Sequence, residues 1–154
     1  MIYYTRYISP VGSMTLTSDG NTLTGLTFGP PDPQWTQMDN LSIFNSVCLW
    51  LDAYFAGKTA PADFSLSLAG TDFQMRVWAL LTKIPHGKTV TYGQLAKELG
   101  ENMSAQAVGQ AVGRNPIALI IPCHRVVGAK GHLTGYAWGV ERKQWLLRHE
   151  EETK

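Results

Sequence analysis

Two Thr-x-x-Gln signatures, Thr71 to Gln74 and Thr91 to Gln94, each precede an apolar run with helical period. In such a box the Thr hydroxyl accepts the amide of the third helical residue, and the Gln side chain returns to the Thr amide. Two of the helix's orphan donors are thereby satisfied. The first box predicts a helix over 71–84 with Phe73, Val77, Leu80, Leu81 and Ile84 on one face. Pro85-His86-Gly87 closes it and leaves His86 exposed in a turn. The second predicts a helix through Leu95, Ala96 and Leu99 to Gly100. After Glu101-Asn102-Met103, Ser104 caps another helix that turns Ala107, Val108, Ala111 and Val112 inward. Two short helices joined by a short turn outline a helix-turn-helix.

The residues before this block read differently. Met1–Ile8, Ser13–Ser18 and Thr22–Phe28 are rich in β-formers, and Pro10-Val11-Gly12 and Asp19-Gly20-Asn21 supply turns between them. They predict an antiparallel sheet. Gly29-Pro30-Pro31-Asp32-Pro33 forbids regular structure. Leu41–Phe55 repeats Phe44, Val47, Leu51 and Tyr54–Phe55 at helical spacing, with Cys48 in the apolar pattern and Gly57 as the stop. Lys58–Gly70 is an extended connector. The fold class is therefore α+β: a small sheet-plus-helix domain over 1–69, then a helix-rich, helix-turn-helix (winged-helix-like) domain over 70–154.

Composition excludes several classes. No apolar run in the 154 residues approaches the roughly 20 needed to span a bilayer. Cys48 and Cys123 in dissimilar surroundings do not outline a disulfide framework, and Met1–Arg6 lacks the form of a signal peptide. Both point to a reducing, cytoplasmic home, nucleoid-associated in a prokaryote, and to no membrane partner. CxxC, HExxH, P-loop and GxGxxG patterns are all missing, so no metal or cofactor is expected. The net charge of +1 hides an asymmetry. Residues 1–70 carry Arg6 and Lys58 against five aspartates, net −3, and residues 71–154 carry +4. Basic charge gathers in the second half, which favours a polyanion there.

That half also holds Ile120-Ile121-Pro122-Cys123-His124-Arg125-Val126-Val127. The apolar run Ile117–Ile121 reads as a buried β-type segment, stopped at Pro122 by the loss of a donor. Cys123 thus stands where regular structure gives out, beside an imidazole. A cysteine in such a place is either inert packing or a nucleophile with its base. Adjacent residues on an extended segment face opposite ways, so acting together requires a tight turn or a bridging water. The helix Ser104–Asn115 has two glutamines and a terminal arginine among alanines and glycines. Such a helix either packs closely in a core or approaches nucleic acid by its backbone, reading shape in the minor groove. The last helix, Val140–Glu151, directs Trp145, Leu146 and His149 inward and Arg142, Lys143 and Arg148 outward.

Asn115-Pro116, Pro122-Cys123-His124-Arg125-Val126, Gly135-Tyr136 and Trp145-Leu146-Leu147-Arg148-His149-Glu150 occur in that order. The series resembles the O6-alkylguanine-DNA alkyltransferases over at least 71–152, and the first domain fits that family more loosely. The resemblance implies direct-reversal repair by a stoichiometric methylated-DNA–protein-cysteine S-methyltransferase. Cys123 would take the alkyl group, His124 would act as base through a water, Glu150 would hold His124, and Asn115 would brace the turn. Tyr92 would contact N3 of a flipped guanine, with Val126, Tyr136, Ala137 and Trp138 around the base. The DNA-facing set would be Ala105, Gln106, Gln110, Arg114 and Arg125. The implied partner is double-stranded DNA carrying O6-alkylguanine, with O4-alkylthymine a further substrate, met by a monomer without cofactor.

The chain departs from that family's pattern in three places. Gln106 stands where many members place an intercalating arginine, Trp138 where some have glycine, and residues 1–70 lack the ligands of the zinc site some members carry. The bulky Trp138 predicts poor acceptance of large adducts such as benzyl. A different class of function is a helix-turn-helix module that binds alkylated DNA without repairing it. Another is a cysteine hydrolase using Cys123 and His124.

Overall fold

The computed structural model describes residues 1–100 and 102–154, so the expected loop position Glu101 lies outside the described residues. The chain forms two compact units, Met1–Leu68 and Ala69–Lys154.

In the first unit β1 (Tyr3–Ser9), β2 (Gly12–Ser18) and β3 (Leu23–Thr27) form an antiparallel meander. Pairing of Ser9 with Gly12 leaves Pro10-Val11 as the loop, and Gly12 supplies the positive φ (121°) that the tight return demands. A short strand that the sequence did not announce, β4 (Thr36–Gln37), pairs parallel with β1 at the sheet edge. The proline-rich loop before it carries the chain back along β1. Helix α1 (Ser42–Phe55) buries Phe44, Val47, Leu51 and Tyr54 of the predicted face, while Phe55, also expected there, is half-buried. Cys48, expected in the core, is only half-buried because it lies beside that stripe. The connector is extended, and Leu66 makes one bridge to Leu23.

In the second unit both capping boxes form as read. Thr71 accepts from the Gln74 amide at 3.1 Å, and Thr91 accepts from the Gln94 amide at 3.0 Å. They open α2 (Asp72–Leu81), and then, after a two-residue strand β5 (Val90–Thr91), α3 (Tyr92–Leu99). Helix α2 stops three residues before the predicted Ile84. Its last turns tighten, with Lys83 bonding back to Leu80 and Ile84 to Leu81, while Ile84 itself stays buried. Ser104 caps α4 (Ala105–Gly113) through the Ala107 amide. Helix α2 also closes the exits of the next two helices. Arg76 Nη2 donates to Leu99 O at 2.9 Å, and buried Trp78 Nε1 donates to Ala111 O at 2.9 Å. Carbonyls at helix ends lack an amide four residues on, so Arg76 serves Leu99 O, and Trp78 adds a second bond to Ala111 O beside that from the Arg114 amide. Strand β6 (Val126–Val127) pairs parallel with β5, and α5 (Val140–Glu152) ends the fold.

Candidate active site

The segment expected as a buried strand is a buried turn instead. Ile121 N bonds to Ile117 O at 3.1 Å and Ile120 N to Ala118 O at 2.7 Å, and Leu119 has φ of 66°. The backbone groups find partners in Asn115 rather than in a neighbouring strand. Its Nδ2 donates to Ile121 O (2.7 Å) and Ile117 O (3.2 Å), and its Oδ1 accepts from Ile117 N (3.0 Å). A left-handed leucine costs about 1–2 kcal/mol. Packing compensates, since Leu119 and every residue from Ile117 to Ile121 are buried.

Pro122 ends this turn, and Cys123–Arg125 follow as one 3₁₀ turn. The backbone therefore turns between Cys123 and His124, one of the two arrangements that let neighbouring side chains serve one site. β6 begins immediately after Arg125. Its register against β5, Val90 to Val126 and Thr91 to Val127, sets the cysteine turn beside the start of α3. Tyr92 is the first residue of that helix, so the strand pair brings Tyr92 and Cys123 to one place.

They line a cavity of about 280 Å³ together with Gly109, Val112, Gly113, Gly135, Tyr136 and Ala137. Ligand pockets usually run from about 300 Å³ upward, so this one suits a single small heterocycle. Glycines and alanine make up much of the wall and leave the volume to a planar guest. Val126 and Trp138, expected in the wall, do not line it. Val126 is wholly buried and gives its amide to Cys123 O, and Trp138 packs edge-on against Tyr136 with ring centroids 5.4 Å apart.

Cys123 is 4% exposed and His124 is 0% exposed. Burial pushes the Cys123 thiol up, while Asn115, Lys143 and Tyr136 pull the other way. His124 Nε2 meets Glu150 Oε2 at 2.5 Å. Burial by itself would raise the Glu150 carboxyl. Hydrogen bonds from His124 and Arg125, together with the Arg125 charge, outweigh it and hold the carboxyl well below the usual range. Glu150 is thus ionised and can only accept, so the imidazole donates from Nε2. Burial lowers the basicity of His124, which leaves it neutral with its lone pair on Nδ1. That buried Nδ1 has no hydrogen-bond partner among the described residues.

Four sequence expectations change here. Arg125, placed on the DNA side, is turned inward. Its Nε lies 2.7 Å from Glu150 Oε1, its Nη2 3.2 Å from Oε2, and its Nη1 2.6 Å from Ile84 O. Lys143, placed outward, is 0% exposed, with Nζ 3.3 Å from Thr134 O and 5.8 Å from the Tyr92 ring centre. Burial lowers its basicity, and Cys123 opposes that shift. The spacing of Lys143, Leu146 and Glu150 puts all three on one helix face, a signal that the charged residue type concealed. His86 is half-buried rather than exposed, with Nε2 3.0 Å from Thr153 Oγ1. Arg142, also expected outward, bonds Trp138 O at 2.9 Å.

Ala105, Gln106, Gln110 and Arg114 are exposed along the outer side of α4, opposite buried Val108, Ala111 and Val112. Among the described residues, no cluster of three or more His, Cys, Asp or Glu side chains could hold a metal ion. No helix of the described residues is long and apolar enough to cross a membrane.

Comparison with known proteins gives two family matches. The ribonuclease-like domain of 6-O-methylguanine DNA methyltransferase matches residues 2–69, and the DNA binding domain of the same family matches residues 72–152. The methylated-DNA–protein-cysteine methyltransferase of Mycobacterium bovis is 46% identical over 156 residues, covering 98% of this chain and 93% of that protein. The crystal structure of Mycobacterium tuberculosis O6-methylguanine methyltransferase superposes with a TM-score of 0.91 at 44% identity, over 100% of this chain and 95% of that one. Mycobacterium tuberculosis OGT in complex with DNA also gives 0.91 at 44% identity, over 98% and 94%.

Proposed function

Since this chain belongs to the 6-O-methylguanine DNA methyltransferase family, we propose that it repairs alkylated DNA by moving the O6-methyl group of guanine onto Cys123, once per molecule. The observation that carries this reading is the setting of His124: an imidazole pinned through Nε2 to Glu150, with Nδ1 unpaired in the same buried turn as the thiol. The burial that surrounds Cys123 suppresses spontaneous ionisation near neutral pH, so the thiol needs a base at the moment of attack. A water between Sγ and Nδ1 passes the thiol proton to His124.

The thiolate attacks the methyl carbon in line with the C–O bond. A carbon–sulfur bond forms and the carbon–oxygen bond breaks. The electron pair leaves on the purine, which ends as neutral guanine by taking up the proton the thiol lost. Tyr92, at the cavity wall, donates to N3 of the base and eases its departure. A thioether has no group beside it that could cleave it, so the protein is consumed.

A base inside a duplex cannot reach a buried sulfur, and the nucleotide must be extruded at a cost of a few kcal/mol. The outer side of α4 faces the minor groove in this reading. The small Ala105 permits close approach, Gln106 fills the gap left by the base, and Gln110 and Arg114 contact the backbone.

The test is a time course with duplex DNA carrying O6-methylguanine, followed by peptide mass spectrometry. One methyl per protein on Cys123 is expected. A label on another residue, or Cys123→Ser retaining transfer, refutes the reading. Tight binding of methylated DNA without methyl loss would make the chain a binding module instead.

A further inference from the structure

We propose that Arg125 is a positioning residue whose charge offsets that of Glu150 and so keeps His124 a neutral imidazole able to accept the Cys123 proton. The inference rests on the transfer reading above and deepens it.

A carboxylate hydrogen-bonded to a buried imidazole has two opposed effects. It orients the ring and fixes the tautomer, and its negative charge stabilises the imidazolium. An imidazolium has no lone pair and cannot serve as base. The site therefore needs the orientation from Glu150 without the full effect of its charge.

Arg125 meets that need by its geometry. Its Nε and Nη2 fork onto both oxygens of Glu150, at 2.7 and 3.2 Å, while the same Oε2 receives His124. A forked guanidinium–carboxylate pair is strong and directional. The third arm, Nη1 to Ile84 O at 2.6 Å, ties the guanidinium to the end of the turn after α2. Cys123, His124 and Arg125 share one 3₁₀ turn. Nucleophile, base and compensating cation are therefore consecutive residues on a single rigid segment.

The other charged groups around the pair are few. Lys143, from α5, adds positive charge that also works against an imidazolium, and among the described residues Glu150 is the one carboxylate that favours it. From the turn after α2, the Gly87 amide approaches Glu150 Oε1 at 3.5 Å, and His86 and Glu150 act electrostatically on one another. His149, next to Glu150 on α5, also acts on His86.

The experiment compares the full chain with Arg125→Met, which removes the charge, and Arg125→Lys, which keeps the charge and loses the fork. The His124 imidazole is titrated by NMR, and the single-turnover transfer rate is measured across pH. In Arg125→Met the His124 midpoint should rise by about one pH unit. Its rate relative to wild type should fall about fivefold at one pH unit below that new midpoint and recover as pH rises, because one unit changes the neutral fraction by that amount. Arg125→Lys should keep the wild-type midpoint.

An unchanged or lowered midpoint in Arg125→Met, with a rate loss uniform across pH, overturns the proposal and leaves Arg125 a structural brace. So does a midpoint in Arg125→Lys raised as far as in Arg125→Met. Should Arg125→Met not fold, Arg125→Gln, which also removes the charge, takes its place: a raised His124 midpoint supports compensation and an unchanged one refutes it. Absence of transfer in the wild type, with the NMR shift present, would sink the transfer reading and leave the electrostatic one standing.

Discussion

His124 and Glu150 lie 26 residues apart in sequence, and their side chains meet at 2.5 Å with both residues buried. One comes from a 3₁₀ turn and the other from the last helix. The pair fixes which imidazole nitrogen carries the proton, and with it which nitrogen can act.

Replacing Glu150 by Gln tests that tautomer. The amide offers His124 Nε2 a donor as readily as an acceptor, which permits the proton to move to Nδ1 and removes the base. The methyl-transfer rate should fall on the order of 10²-fold, the usual scale for a lost general base. Stopped single-turnover assays on methylated duplex DNA measure it, with DNA affinity unchanged in a gel shift.

Asn115→Ala leaves the buried Ile117 amide without its partner and takes one of two bonds from each of two buried carbonyls, Ile117 O and Ile121 O, which keep the amides of Ile121 and Cys123. The unsatisfied amide should cost about 1–3 kcal/mol. Urea denaturation should show the midpoint fall with little change in slope. Transfer should slow as well, because the turn presents the thiol.

Gly70 lies under the Trp78 ring. A Cβ there would come within 2.6 Å of Cη2 and 2.7 Å of Cζ3. Trp78 cannot yield without losing its bond to Ala111 O at the end of α4. Gly70→Ala should therefore destabilise by about 1–3 kcal/mol through overpacking. Thermal denaturation by circular dichroism would read it, and a neutral result would show that the ring is free to shift.

Stability should decline on acidification, in two stages. The imidazoles of His124 and His86 are both depressed below the ordinary 6.5, burial being the main cause in each. The unfolded chain then binds protons the native chain does not, so their contribution is complete above about pH 6.5 and is lost as pH falls from there. Glu150 is held below its ordinary 4.5 by His124 and Arg125 against the cost of burial, and its contribution is lost below about that pH. Melting temperature against pH should show both losses, and His124→Gln should flatten the first.

The sequence alone determined the local features of this protein. The capping boxes at Thr71 and Thr91, the cap at Ser104, the Gly12 turn and the apolar faces of α1 to α4 arise from neighbours within a few residues, and such short-range chemistry is written in order along the chain. Cys123 and His124 stood out as candidates for the same reason, whereas Asn115 and Glu150 were candidates only through the family resemblance. What tertiary structure decided was every partnership across distance. It made Ile117–Ile121 a turn around Asn115 instead of a strand, and it paired Val90–Thr91 with Val126–Val127. It drew Lys143 inside, and it turned Arg125 from an expected DNA contact to Glu150. An isolated charged residue reads as a solvated one. It becomes a core residue when a distant group of opposite charge or a carbonyl compensates its desolvation, and that compensation exists only after the chain has folded.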